Sequence, residues 1–126
     1  MLAIGFPTLL LGFLAIGPEP SDAEIRRAVD KALPTLLKGT EGYVEKRECF
    51  SCHHQAIPVL AMTLAKKNGF AIPDEAIQSQ VDFTADSLAK GLKDYQAGKG
   101  QGGGVETAGT ALWTLEIGGR PRDELT

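Results

Sequence analysis

Both cysteines and both histidines of this chain fall within six consecutive positions: Cys49, Cys52, His53 and His54, in the run ECFSCHHQAIPVL at 48–60. Cys49 to His53 spell C-x-x-C-H, which in an exported protein is the attachment pattern of c-type haem. Two thiols three residues apart can each add to one vinyl group on the same porphyrin edge. His53, next in the chain, can then offer a ring nitrogen to the iron as proximal ligand. Three other chemistries fit the same residues. A dithiol/disulfide pair uses the C-x-x-C spacing, although thioredoxin-like chemistry expects a βαβ setting that the pattern here lacks. Zinc could recruit Cys49, Cys52 and one histidine, with a carboxylate such as Glu48 or a partner chain completing four ligands. The two cysteines could also be buried and structural. His54 is the weaker candidate for metal contact, because it adjoins His53 and cannot reach round a porphyrin; its type and place suit a surface or capping residue better.

A low-spin electron-transfer cytochrome usually carries a second axial ligand. Met62 lies nine residues beyond His53, about 13 Å along a helix axis, too far to clasp the same iron from the other face. Met62 is therefore expected in the core. The iron of a bound haem would be five-coordinate, or its sixth ligand would come from a lysine, another segment or a partner.

The elements that must position this cluster read as helices. Ser21-Asp22-Ala23-Glu24 forms a capping box, and Ile25, Val29, Leu33 and Leu36 recur at helical spacing up to a stop at Gly39. Pro34 should kink this helix or split it near Leu33. The polar run TEGYVEKRE then leads to the cysteines. A second helix is expected over 55–68, with Ile57, Leu60, Ala61 and Leu64 inward and Pro58 tolerated in its first turn. A third begins after Pro73, with Ile77, Val81, Leu88 and Leu92 as its apolar stripe. The fourth covers 107–116, with Ala108, Leu112 and Leu115 inward and Trp113 in the core. No stretch alternates with period two. The expected class is all-α, four main helices joined as helix hairpins.

Composition narrows the function. The chain has 126 residues, 43% of them hydrophobic, and a net charge of −3, so nothing favours nucleic acid. Residues 1–16 carry no charge. That length suits a signal-peptide core or a membrane anchor better than a soluble helix, given its glycines and Pro7. We expect a leader over 1–20, membrane association through 2–16 if it is retained, and a periplasmic or exported location, which agrees with the compartment in which haem c is attached. Gly98 to Gly103 match G-x-G-x-x-G, but a helix precedes them where a dinucleotide site needs a strand. Asp82 and Asp86 share a helix face and read as a solvated pair. No Ser-His-Asp arrangement is evident.

Two stretches, KRECFSCHHQAIPVLAMTLAKKNGF and GGGVETAGTALWTLEIGG, resemble a group of exported bacterial proteins, common in planctomycetes and related to squalene cyclases. The resemblance covers 21–126, and the Cys-Cys-His-His-Gln cluster is its specific part. It implies an α/α toroid of the terpenoid-cyclase and prenyltransferase kind, with a haem-c-like site at Cys49, Cys52 and His53. A full toroid has far more helices than four, so the domain at 21–126 would be a sector completed by further helices or another chain. The Asp-x-Asp-Asp motif with which such cyclases protonate a polyene is not found in the sequence, and the spread zinc ligands of the prenyltransferases are not matched either. The resemblance thus supports the scaffold and supports no cyclase or transferase activity. The expected role is electron transfer or redox sensing through haem c with a redox partner not specified by the sequence. The rival is a non-enzymatic binding scaffold, or a cyclase-like fragment, whose cysteine cluster is structural or holds zinc.

Overall fold

The computed structural model describes residues 19–126 and is all-α, with no strand among the described residues. Its elements are α1 (Asp22–Lys46), a single π-helical turn (Cys52–Ala56), α2 (Ile57–Lys67), α3 (Asp74–Gln96) and α4 (Gly104–Ile117). The leader expected over 1–20 falls almost wholly on residues 1–18, outside the described residues. No helix among those described is long and apolar enough to cross a membrane.

α1 begins as its sequence dictates. The Ser21 hydroxyl accepts from the Glu24 backbone N–H, and the Glu24 carboxylate accepts from the Ser21 N–H at 2.8 Å, closing the capping box. The helix then departs from expectation. It runs through Pro34 without a break, and through Gly39 and Gly42 to Lys46. Pro34 and Asp30 are both exposed, so the Asp30 carbonyl that loses its partner can turn to water. Thr40, buried on the next turn with its hydroxyl donating to the Leu37 carbonyl at 2.8 Å, carries the helix past Gly39. The polar run after Gly39, read from sequence as a connector, is mostly helical.

Two apolar clusters form the core. In one, Val81, Ala85 and Leu88 of α3 meet Ala111 and Leu115 of α4. In the other, Val59, Met62 and Ala65 of α2 join Ile72, with Leu33, Leu36 and Leu37 of α1 packed against them. α3 touches all three other helices and is the centre of the arrangement. Met62 is fully buried, as expected. The inward face of α2 is not the expected one: Val59, Met62 and Ala65 are buried, whereas Ile57 is 55% and Leu64 48% exposed. On α4, Ala111, Thr114 and Leu115 point inward, while Leu112 and Trp113 are 40% and 39% exposed. Trp113 is therefore a surface residue and not core. α4 also starts three residues earlier than expected, at Gly104, after Gly103 in a left-handed conformation (φ 81°) that ends the glycine-rich loop.

The resulting surface leaves apolar faces without partners. A groove of about 680 Å³ runs between α1 and α2, lined by Ile25, Val29, Leu33, Ala61 and Leu64, with Phe70 at one end. The Arg26 guanidinium lies over the Phe70 ring, 5.2 Å from its centroid, and donates to the Asn68 carbonyl. On the outer side of α4, Val105, Leu112 and Trp113 form a second exposed apolar strip.

Candidate functional site

The cysteine segment is tied down at its N-terminal side by two helices. The Phe50 N–H donates to the Ser87 hydroxyl of α3 at 2.9 Å. The Tyr43 hydroxyl of α1 donates to the Cys49 carbonyl at 3.2 Å, and Lys90 of α3 donates to the Glu48 carbonyl at 3.3 Å. The start of the motif, 48–50, is thereby pinned between α1 and α3.

Ser51 then caps the turn. Its carbonyl accepts from the N–H groups of His54 and Gln55, and its own N–H donates to Gln55 Oε1 at 2.7 Å. The next turn is π-helical, with the Ile57 N–H reaching back five residues to the Cys52 carbonyl. Pro58 supplies the physical reason. It has no N–H to return to the His54 carbonyl, and its ring crowds that carbonyl in a regular α turn. Opening the turn by one residue relieves the crowding. Single π turns of this kind are frequent at functional sites, and this one contains Cys52, His53, His54 and Gln55.

The side chains of the cluster have different fates. Both cysteines are free thiols; Cys49 is exposed and Cys52 half-buried. His53 is exposed and shares a groove of about 570 Å³ with Ala32, Thr35, Leu36, Gly39 and Pro58. His54 is held: its ring stacks on Tyr43 with centroids 4.3 Å apart and planes at 18°, and its Nδ1 lies 3.1 Å from the Ser51 hydroxyl. Partial burial, and then the neighbouring Cys49, push the Tyr43 phenol above its ordinary value, so it stays a neutral donor. Gln55 is fully buried, and its Nε2 has no hydrogen-bond partner among the described residues.

The groove at His53 continues past Thr35, Gly39 and His54 into a second depression, lined also by Lys38, Lys46 and Arg47. One surface therefore runs from an apolar wall at Ala32, Leu36 and Pro58 to a basic end. Gly39 sits where the two meet, and a Cβ placed there would touch nothing within 4 Å.

The structure thus exposes Cys49 and His53, leaves Cys52 half-buried, and holds His54, which lines the same groove as His53, against Tyr43 and Ser51. Among the described residues no three His, Cys, Asp or Glu side chains converge as ligands for a metal ion. Asp82 and Asp86 are exposed on α3, as a solvated pair should be. The Gly98–Gly103 run is the loop between α3 and α4. Sequence reasoning did not find Tyr43, Ser87 or Gly39 as parts of the site. Tyr43 lay in a run taken for a connector, and the partners of a backbone carbonyl leave no mark in a sequence.

The fold and site together define an all-α protein that presents a C-x-x-C-H segment on a π turn beside an apolar groove. Comparison with protein-family models, with curated proteins and with solved structures finds no match to this chain.

Proposed function

We propose that this chain is an exported c-type haem-bearing protein, with Cys49 and Cys52 as thioether anchors and His53 as proximal ligand, acting in electron transfer or redox sensing. The observation that carries the reading is that Cys49 and His53 are exposed and Cys52 half-buried, with His53 on the lining of a groove whose chemistry suits the cofactor. Ala32, Leu36 and Pro58 offer apolar surface for a porphyrin body, and Lys38, Lys46 and Arg47 offer cations for its two carboxylates. Cysteines with a purely structural role would be expected inside the core; these are not. A bound haem supplies the one-electron couple of its iron. The chain's own residues anchor it, orient its ring and partly exclude water from one side.

For the scaffold, we propose a sector of an α/α toroid completed by further helices or another chain. The unpartnered groove between α1 and α2 and the apolar strip on α4 support this, since a sector exposes the faces meant for its neighbours.

The test is co-expression with a haem-attachment system, followed by denaturing electrophoresis and a haem peroxidase stain. The expected result is a stained band at the mass of the chain, lost in Cys49→Ser plus Cys52→Ser. An unstained band, or near-stoichiometric zinc on metal analysis of the purified protein, would rule against haem and favour the rival scaffold.

A further inference from the structure

The surface that runs from His53 to the basic end of α1 is lined by neither cysteine, so it need not serve whatever Cys49 and Cys52 hold. Its two halves differ in chemistry. The half at His53 has an apolar floor of Ala32, Leu36 and Pro58. The other half carries Lys38, Lys46 and Arg47. Thr35, Gly39 and His54 line both halves and mark the joint. No Asp or Glu lines either half, and none of the three cations is ion-paired among the described residues. A chain of net charge −3 thus keeps a local positive field that no carboxylate of its own neutralises.

The layout follows from α1. Thr35, Lys38, Gly39, Gly42 and Lys46 recur three or four residues apart and share one face. Lys38 and Lys46 stand about 12 Å apart along the axis, with Gly42 between them. Neither Gly39 nor Gly42 has a positive φ, and a Cβ added at either would touch nothing within 4 Å. Glycine inside a helix is costly, and no packing in the structure requires it at these two places. Both leave bare backbone along the trough, where a ligand can approach closely.

We infer that this trough binds a single-chain anionic amphiphile, its oxyanion head among Lys38, Lys46 and Arg47 and its apolar chain laid over Gly39 onto Leu36, Ala32 and Pro58. The occupant is a monomer and not a bilayer, because a bilayer needs apolar groups that project, and here they form the floor of a recess. Binding is non-covalent and needs neither thiol, so the inference does not rest on the haem reading. A haem whose carboxylates took the same cations would compete, and binding is therefore measured before haem attachment.

The experiment is an NMR titration of the labelled full chain, made without a haem-attachment system, with decanoate below its micellar concentration. Saturable shifts are expected at the Gly39 and Gly42 amides. Affinity should rise about twofold per methylene from hexanoate to decanoate, because full burial gives about fourfold and an open trough covers about half. Lys38→Gln plus Lys46→Gln should weaken binding about tenfold, since an exposed ion pair contributes up to about fivefold. Gly39→Glu, which puts a carboxylate at the joint, should weaken it similarly without lowering the unfolding midpoint. Lys93→Gln on α3 should change nothing. Affinity independent of chain length, decanol binding as tightly as decanoate, shifts centred on the Val105–Trp113 strip, or unchanged affinity in both trough variants would each overturn the inference. Vesicles of anionic phospholipid that bind through Lys38 and Lys46 while decanoate does not would overturn it in favour of a membrane surface. The haem stain is read separately, so either reading can fail without the other.

Discussion

Pro58→Ala tests the reason given for the π turn. An alanine restores an N–H that can return to the His54 carbonyl and removes the ring that crowds it. If the proline is the cause, the turn closes to a regular α pattern. Closing it adds one residue to the helical phase, which turns the segment N-terminal to it by about 100° and moves it outward by about 1.5 Å relative to α2. His53 would then leave the groove it shares with Leu36 and Gly39. Stability alone cannot decide the matter. A recovered backbone hydrogen bond contributes about 1 kcal/mol. Loss of the proline's restraint on the unfolded chain costs about as much, and two fewer buried carbons cost roughly 1.6 kcal/mol more. The expected net effect is a destabilisation of about 1–2 kcal/mol. The decisive assay is NMR of the labelled protein through couplings across hydrogen bonds. In the parent the Ile57 N–H couples to the Cys52 carbonyl, in keeping with the bond described above. In Pro58→Ala it should couple to the His53 carbonyl instead, and haem attachment should fall. Persistence of the coupling to Cys52 would refute the argument, and the π turn would then have to be held by tertiary packing.

Three further outcomes follow from the packing and the caps. A Cβ at Gly118 would collide with the Val81 side chain and approach the Thr114 carbonyl to 3.1 Å, so Gly118→Ala should lower stability by about 1–3 kcal/mol in urea melts; an unchanged midpoint would contradict the close approach of α4 to α3. Met62→Ala should cost about 2–5 kcal/mol yet leave the ferrous spectrum of haem-loaded protein unaltered, whereas a change of spin state would make Met62 a ligand. The Ser21 hydroxyl, and then its backbone N–H, hold the Glu24 carboxyl below the usual carboxylate range. The cap contribution from Glu24 is therefore present above the unfolded-state pKa and is lost as pH falls through the lower folded-state value. Ser21→Ala should remove about 1 kcal/mol of helix stability and return the Glu24 titration, followed by NMR, toward its ordinary value; a Glu24 titration unmoved by the substitution would dissolve the capping box.

Much of the helical content was legible in the sequence because its signals are local. A serine three residues before a glutamate, glycines past helix ends and apolar residues at 3.6 spacing act over a few positions. The capping box of α1 and the start of α3 after Pro73 both follow from such signals. The errors have local causes too. Gly39 reads as a stop, but packing of the following turn, with Thr40 buried, overrides the propensity of one glycine. α2 is apolar on nearly every side, IPVLAMTLA, so periodicity could not choose between the face with Leu64 and the face with Met62. Trp113 was assigned to the core by its type, and the neighbours of α4 left it outside.

By itself the sequence determined that the chain is all-α and that its two thiols and two imidazoles stand together, since both are matters of composition and spacing along one strand of covalent bonds. Only the tertiary structure decided that His53 lines a groove while His54 is stacked on Tyr43, that the cysteines stay near the surface, and that Gly39, Lys38 and Lys46 of α1 adjoin His54. Those relations depend on segments that meet through space: Tyr43 comes from α1 and Ser87 from α3, and nothing local to ECFSCHHQ encodes their approach.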